Sequence, residues 1–166
     1  MITRPLARLD AAAWHAMMLE GTRTHPAAFL LSHREVAAMD ETSIVSSIAR
    51  GHLIGLFDDG HLAGFAGLHL WQMDRLRHRA DIGPFYVAEA KRGSGAADAL
   101  MDALAGRAVA AGVVWLDLWV AVSNERARAF YRRNGFEEVA RRADAVRMDG
   151  VSEDDAMMTR RLSRPC

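Results

Sequence analysis

Arg92-Gly93-Ser94-Gly95-Ala96-Ala97 joins an apolar, strand-like run at 84–87 to a helical pattern at 97–108. Glycine lets the backbone approach a ligand without a Cβ in the way, and the first N–H groups of a helix have no partner inside it. Those groups can donate hydrogen bonds to a phosphate. The segment therefore predicts a strand, a glycine turn and a helix start that together form an anion site.

The helix after the turn is predicted to be amphipathic and to end at Gly112. Residues 113–122 then form a nearly continuous apolar run, which is typical of a strand buried on both faces. A helix between two such strands favours a parallel pair in a right-handed βαβ unit. The apolar helix positions are Ala97, Leu100, Met101, Leu104 and Ala108.

The chain before the turn predicts a short strand, then helices, and then a hairpin followed by a further strand. Asp10 is a plausible N-cap of a helix at 11–20, which Gly21 would end. Asp58-Asp59-Gly60 separates two apolar runs and predicts an antiparallel hairpin. Proline cannot donate to a ladder, so Gly83-Pro84 predicts a bulge in the next strand. The other predicted elements are a strand within 2–9, short helices at 27–39 and 43–50, and strands at 52–58, 61–72 and 79–87.

The last third of the chain predicts one short helix and two strands. Asn124 is the candidate N-cap of this helix, and Asn134-Gly135 closes it. The strands are predicted at 136–142 and 156–162, with an acidic loop at 149–155 between them. The whole sequence therefore predicts a mixed α/β protein.

The composition limits the class of protein. A chain of 166 residues with 51% hydrophobic and 25% charged residues suits one globular domain. Basic and acidic residues number 21 each, so the basic footprint of a general nucleic-acid binder is missing. No apolar stretch approaches the roughly 18 residues of a spanning helix, and the only cysteine is Cys166. We therefore expect a cytoplasmic protein with no nucleic-acid and no membrane partner.

Two sequence blocks resemble motifs of the GCN5-related N-acetyltransferases (GNAT family). In the block 86–97, Arg92, Gly95 and Ala97 have the spacing of the family's acetyl-CoA-binding motif, which is Gln or Arg, two residues, Gly, one residue, then Gly or Ala. The block 122–136 resembles a later motif, Asn-x-x-Ala-x-x-x-Tyr-x-x-x-Gly-Phe. The blocks occur in the family's order, which is far more specific than either block alone.

The resemblance extends over about 52–162 and implies one N-acetyltransferase domain over residues 1–166. Residues 1–50 would contribute strand 1 and the acceptor-side helices. The implied fold is a mixed, mostly antiparallel sheet flanked by helices, in which a central parallel βαβ unit splays to admit CoA. Many members carry a proline soon after the strand, whereas this chain has Glu89-Ala90-Lys91.

The resemblance also implies the site residues. The backbone of the turn would hold the pyrophosphate of acetyl-CoA, Arg92 would add charge, and the pantetheine arm would lie along 85–87. Asn124 would bind that arm or cap the helix, and Tyr131 would be the general acid for the CoA sulfur. A backbone N–H near the bulge would polarise the carbonyl. The implied cofactor-binding residues are Phe85, Tyr86, Val87, Arg92, Gly93, Ser94, Gly95, Ala96, Ala97, Asn124, Ala127 and Tyr131.

The general base stays open at this point. Asp81 occupies the place where some members carry a Glu that takes the ammonium proton, and its shorter side chain would need a water relay. Glu89, His78 and His69 are alternatives, and solvent alone could serve an amine of modest pKa. The seven histidines show no ligand spacing, so no metal site is expected.

Three functions from different classes compete. The first is an N-acetyltransferase that moves the acetyl group of acetyl-CoA to a primary amine of a small molecule or peptide, by direct transfer through a tetrahedral intermediate. The alternative is an acyl-CoA-binding module that senses the cofactor without turnover, which Tyr131 disfavours. The third is a nucleotide-phosphate enzyme, but Ala96-Ala97 replaces the Lys and Ser/Thr of a P-loop.

The acceptor side is predicted only by region. The resemblance places the acceptor pocket among 23–50, 71–78 and a loop at 144–155, whose mixed charges show no preference for a polybasic or polyacidic substrate. Trp71 and Trp14 are the tryptophans expected to line it. A homodimer through the C-terminal strands is a further expectation from the resemblance.

Overall fold

The computed structural model describes residues 1–162, so Cys166 lies outside the described residues. The helices are α1 (Ala11–Thr24), α2 (His33–Ala37), α3 (Glu41–Ala49), α4 (Ala96–Ala110) and α5 (Glu125–Arg133). The strands are β1 (Ile2–Pro5), β2 (Leu53–Asp58), β3 (His61–Leu70), β4 (Arg79–Val87), β5 (Trp115–Ala121), β6 (Glu137–Met148) and β7 (Val151–Arg161). Within 1–162, no helix is long and apolar enough to cross a membrane.

The seven strands form one sheet in the order β1-β2-β3-β4-β5-β7-β6. The pairs β1/β2, β2/β3, β5/β7 and β6/β7 are antiparallel, and β4/β5 is parallel. The predicted mixed, mostly antiparallel α/β fold is therefore confirmed. The hairpin at Asp58-Asp59-Gly60 is confirmed as well, since Asp58 pairs with His61 and both turn residues have positive φ.

By internal contacts the chain forms two compact units. The first comprises Met1–Leu68 and Pro84–Leu104, and the second comprises His69–Gly83 and the chain from Ala105 onward. The prediction of one N-acetyltransferase domain with a core at 52–162 stays a prediction.

The first unit is built around α1, whose length differs from the prediction. Gly21 does not end the helix, which continues to Thr24. A Cβ on Gly21 would lie 2.6 Å from the ring of Phe29 and 3.3 Å from the ring of Tyr86. Glycine stands there because two aromatic rings pack against the helix backbone, and the prediction that Gly21 ends the helix is wrong.

Asp10 stands at the start of α1, but its side chain does not cap that helix. The carboxylate accepts hydrogen bonds from Arg4 Nη1 at 2.6 Å and Nη2 at 2.9 Å, and from the Ala7 N–H at 2.7 Å. The Arg4 hydrogen bonds are the main cause that holds the pKa of Asp10 below its usual value. Asp10 thereby ties β1 to the start of α1.

Asp10→Asn is expected to lower the free energy of unfolding by about 1.5–3 kcal/mol, since Asp10 is buried and its bonds involve a charged partner. Because the pKa of Asp10 is lower in the folded than in the unfolded chain, the carboxylate stabilises the folded protein at pH values above its unfolded pKa of about 3.9. This stabilisation is lost as the pH falls through the lower folded pKa. Urea unfolding at pH 7 and at pH 3 measures both effects. Asp59→Asn, in the exposed β2–β3 turn, is the control; an equal loss there would contradict the assignment.

The second unit holds the parallel pair and a long hairpin. β4 pairs with β5 at Arg79↔Trp115, Ala80↔Leu116 and Asp81↔Asp117. These pairs end two residues before Gly83-Pro84, while β4 continues to Val87. The predicted βαβ order, β4, α4 and β5, is therefore present. β5 is not buried on both faces, because Trp119 is 45% exposed and packs under the Arg142 guanidinium.

The prediction of an acidic loop at 149–155 is wrong. β6 and β7 continue up to the turn Asp149-Gly150, where φ is 50° and 80°, and Met148 pairs with Val151 across it. The acidic residues of this segment lie mainly on β7, where Asp155 pairs with Arg142 at 3.5 Å. Asp155 is buried and Arg142 compensates its charge, while Glu153 and Asp154 accept hydrogen bonds from backbone N–H groups. Charge density alone therefore does not indicate a loop. The acceptor loop predicted at 144–155 is likewise strand.

Candidate active site

Both glycines of the glycine turn adopt the left-handed backbone conformation. Gly93 and Gly95 have φ of 80° and 84°, and both are exposed together with Ser94. The Ser94 hydroxyl donates to the Lys91 carbonyl at 2.7 Å, which closes the turn on itself. Ala99 N–H donates to the Gly95 carbonyl at 3.0 Å, so helical bonding begins there. The N–H groups of 96–98 precede that bond and have no acceptor within the helix.

Two cations flank this turn. Lys91, the only lysine in the sequence, lies 2.5 Å from Asp58 in the β2–β3 hairpin. Arg92 donates from Nε to the Val87 carbonyl at 3.2 Å and from Nη1 to His25 Nε2 at 2.8 Å. His25 was not predicted as a site residue, since nothing in its spacing relates it to a residue 67 positions away.

In the strand 85–87, which is predicted to bind the pantetheine arm, two of the three side chains are buried, so the backbone is the part available to a ligand. Tyr86 and Val87 are buried, and Tyr86 belongs to the core cluster of the first unit. The Tyr86 hydroxyl donates to Glu20 at 3.2 Å, and burial raises the pKa of this phenol. Phe85 is partly buried. An extended ligand on this strand could therefore pair with its backbone groups, as another strand would.

In the second unit, Asn124 begins α5. Its side-chain oxygen accepts from the Ala127 N–H at 3.1 Å, which confirms the N-cap prediction. Arg128 anchors the same helix, because its guanidinium is buried, pairs with Glu125 and lies 2.8 Å from Glu138. The bond between Asn124 and Ala127 thus fixes the start of α5, the helix that carries Tyr131.

Tyr131 lies two turns into α5 and is only 8% exposed. Its ring packs edge-on against Phe130 at 5.4 Å and Phe136 at 5.7 Å between ring centroids. Burial raises the pKa of Tyr131 far above its usual value. The phenol is consequently protonated at any physiological pH and can only begin a reaction as a hydrogen-bond donor.

Asp81 lies on β4 beside Asp117, a carboxylate whose charge is compensated by Arg79. Its register partner Asp117 is buried and accepts from Arg79 Nε at 2.6 Å and from the Thr159 hydroxyl at 2.6 Å. Desolvation is the main cause that raises the pKa of Asp81, and the charge of Asp117 raises it further. Trp71, His69 and Arg79 act in the opposite direction. Arg79 is engaged with Asp117, so Asp81 is the carboxyl with raised proton affinity.

The alternative bases have other surroundings. Glu89 is exposed in a single turn of 3-10 helix at 89–91 in the first unit. His69 Nε2 lies 3.1 Å from the Gly83 carbonyl, and the His78 backbone carbonyl accepts from Val114 and Trp115. Asp81 differs from Glu89 in being partly buried on β4.

Of the two tryptophans predicted to line the acceptor pocket, only Trp71 is accessible. Trp71 is 39% exposed, whereas Trp14 is 4% exposed and packs edge-on against Phe65 at 6.1 Å. Trp14 is a core residue because it lies on the inward face of α1. Within the described chain, no group of three or more His, Cys, Asp or Glu side chains is placed to hold a metal ion.

The fold is shared with acetyltransferases of known structure. Three solved acetyltransferases superimpose on nearly all of this chain. A ribosomal-protein-alanine N-acetyltransferase from Brucella melitensis has a TM-score of 0.84 at 20% identity, covering 98% of this chain and 100% of the other. A GNAT-family acetyltransferase from Streptococcus pneumoniae reaches 0.85 at 18% identity, covering 98% and 99%. A phosphinothricin acetyltransferase from Sinorhizobium meliloti, in complex with acetyl-CoA, reaches 0.82 at 20% identity, covering 97% and 88%.

The sequence itself assigns the family. Residues 14–136 match the profile of the acetyltransferase (GNAT) family, and this chain belongs to that family. The match includes both the glycine turn and the block that contains Asn124 and Tyr131. No curated protein sequence is a recognisable match to the chain.

Proposed function

We propose that this protein is an acetyl-CoA-dependent N-acetyltransferase that moves the acetyl group to a primary amine of a small molecule or peptide. The observation that carries the proposal is the exposed turn at Gly93 and Gly95, with left-handed φ at both glycines, directly before α4. Its N–H groups and the positive end of the helix suit a pyrophosphate. Family membership identifies the acetyl donor as the ligand to test first.

The chain's residues divide the work of binding. The N–H groups of the turn and of Ala96 and Ala97 receive the pyrophosphate, and Arg92 adds a positive charge beside it. The backbone of 85–87 receives the extended pantetheine arm. Asn124 holds the start of α5 through its bond to Ala127. When bound, acetyl-CoA supplies an activated acetyl group whose carbonyl carbon the amine attacks.

Acetyl transfer needs two proton movements. As the amine nitrogen bonds to the carbonyl carbon and the C–S bond breaks, the nitrogen loses a proton and the sulfur gains a hydrogen-bond donor or a proton. Tyr131 serves the sulfur as a hydrogen-bond donor, since burial raises the pKa of the phenol and keeps the proton on its oxygen. Asp81 takes the ammonium proton through water, since its raised pKa makes it a stronger base than an ordinary carboxylate.

Asp81→Asn is expected to lower kcat/KM by at least about tenfold. The base must be ionised, so the wild-type rate falls as the pH drops below the raised pKa of Asp81. The variant should lose this acid limb. Profiles of kcat/KM against pH, taken for Asp81→Asn, Glu89→Gln, His69→Gln and His78→Gln, identify the base. A limb that vanishes in one of the other three variants instead would reassign the role.

The function is tested by following CoA thiol release over a panel of amines, with mass spectrometry of the products. The panel includes a peptide with N-terminal alanine and phosphinothricin, after the two similar acetyltransferases. An N-acetylated product that appears only with both substrates supports the proposal. Tight binding of acetyl-CoA without product from any amine supports the sensing alternative. The cytoplasmic location and the homodimer stay predictions, the latter open to light scattering.

A further inference from the structure

His25 follows the last residue of α1, and its ring meets the guanidinium of Arg92. Arg92 Nη1 lies 2.8 Å from His25 Nε2, whereas Nη2 lies at the longer distance of 3.4 Å from Nδ1. Both residues belong to the first unit. Arg92, the arginine of the glycine turn, is thus in direct contact with a residue outside the acetyl-CoA-binding motif.

The donors and acceptors around His25 specify one state of its ring. A guanidinium can only donate, so Nε2 must be an acceptor. Nδ1 lies 2.8 Å from the Thr24 hydroxyl, which itself donates to the Glu20 carbonyl at 2.9 Å. That hydroxyl can therefore accept from Nδ1–H. In the neutral Nδ1–H tautomer, Nε2 accepts from Arg92 Nη1 and Nδ1 donates to the Thr24 hydroxyl, so both close contacts are hydrogen bonds.

The guanidinium is also held on its other sides. Arg92 Nε donates to the Val87 carbonyl at 3.2 Å, and its central carbon lies 5.7 Å from the centroid of the Tyr86 ring. Tyr86 and His25 have ring centroids 6.2 Å apart. A free arginine side chain samples many rotamers, and this ordering reduces the entropy that ligand binding would otherwise cost.

We propose that His25 is a positioning residue for the pyrophosphate site, holding Arg92 beside the glycine turn through its Nε2 acceptor. The proposal rests on the proposed function, since it assumes that the turn binds the pyrophosphate of acetyl-CoA. His25 acts through Arg92 and touches no reacting atom. It also connects α1, on the predicted acceptor side, to the affinity for the cosubstrate.

The test compares dissociation constants for acetyl-CoA and for S-acetylpantetheine, which lacks the pyrophosphate. His25→Phe keeps a ring but loses the acceptor, and we expect about tenfold weaker acetyl-CoA binding. Its affinity for S-acetylpantetheine should not change. His25→Gln retains an acceptor and should restore most of the acetyl-CoA affinity. His61→Phe, the same substitution in the β2–β3 hairpin, is the matched control.

A double-mutant cycle isolates the contact. In an Arg92→Gln background, His25→Phe should weaken acetyl-CoA binding by less than about twofold further. Equal losses in both backgrounds, or equal losses for both ligands, would overturn the positioning role. If the wild type does not bind acetyl-CoA, the proposed function itself fails; if it binds and His25→Phe binds equally well, only this inference fails.

A measurement on the wild type covers the case in which His25→Phe does not fold. Imidazole ¹⁵N shifts distinguish the two neutral tautomers, and the His25 signals are assigned by their loss in His25→Gln. The contact with Arg92 predicts the Nδ1–H tautomer. An Nε2–H tautomer would overturn the proposal.

Discussion

Tyr131→Phe should lower kcat by about a hundredfold or more, while the Kd for acetyl-CoA stays within about twofold. The substitution removes one oxygen and leaves the ring between Phe130 and Phe136. The departing thiolate then has no phenol to donate to it. Pre-steady-state thiol release and calorimetric titration of the same preparation measure the two quantities.

The sequence has only two tyrosines, so Tyr86→Phe is the natural comparison. That variant loses a hydroxyl that donates to Glu20, and at saturating acetyl-CoA its kcat should fall by less than about threefold. A Tyr131→Phe enzyme with wild-type kcat would remove Tyr131 from the mechanism. A large rise in Kd with unchanged kcat would make it a binding residue instead.

Gly95→Ala should raise the Kd for acetyl-CoA by about ten- to a hundredfold, the equivalent of one charge-assisted hydrogen bond. Gly95 has φ of 84°, which an L side chain rarely adopts. The turn would relax toward negative φ, and its N–H groups would no longer point together. Calorimetric titration with acetyl-CoA measures the loss.

Gly112→Ala provides a matched control for this substitution. Gly112 follows α4 with φ of 80°, and an added Cβ would meet no atom within 4 Å there, as at Gly95. Both substitutions should lower the free energy of unfolding by a similar amount, since the strain is the same. Only Gly95→Ala should weaken binding of acetyl-CoA. Equal affinities for the two variants would mean that the turn does not hold the ligand.

Local rules predicted the elements that depend on local chemistry. Asp58-Asp59-Gly60 formed its hairpin because its two turn residues need positive φ, and Asn124 capped α5 because its side chain reaches an N–H three residues on. The predictions of a helix end at Gly21 and of a loop at 149–155 were wrong for a common reason. At both places tertiary contacts decided the structure: aromatic rings pack against α1, and the Arg142–Asp155 ion pair joins β6 to β7.

The candidate site divides in the same way. Local spacing was sufficient to predict the glycine turn, and the family resemblance indicated Tyr131, whose role stays a prediction. Burial of Trp14 and the contact between His25 and Arg92 depend on how α1 packs, which no spacing encodes. Asp81 is intermediate, since its position on β4 was predictable, whereas its raised pKa depends mainly on desolvation in the folded chain and further on the charge of Asp117.

Calorimetric titration of the wild-type protein with acetyl-CoA, beside ATP, tests the central claim most directly. The glycine turn before α4 predicts one acetyl-CoA per chain with a Kd of about 10 μM or below, and ATP at least about tenfold weaker. Binding of ATP alone, or no binding of acetyl-CoA at concentrations far above that Kd, would contradict the assignment of this turn as the pyrophosphate site.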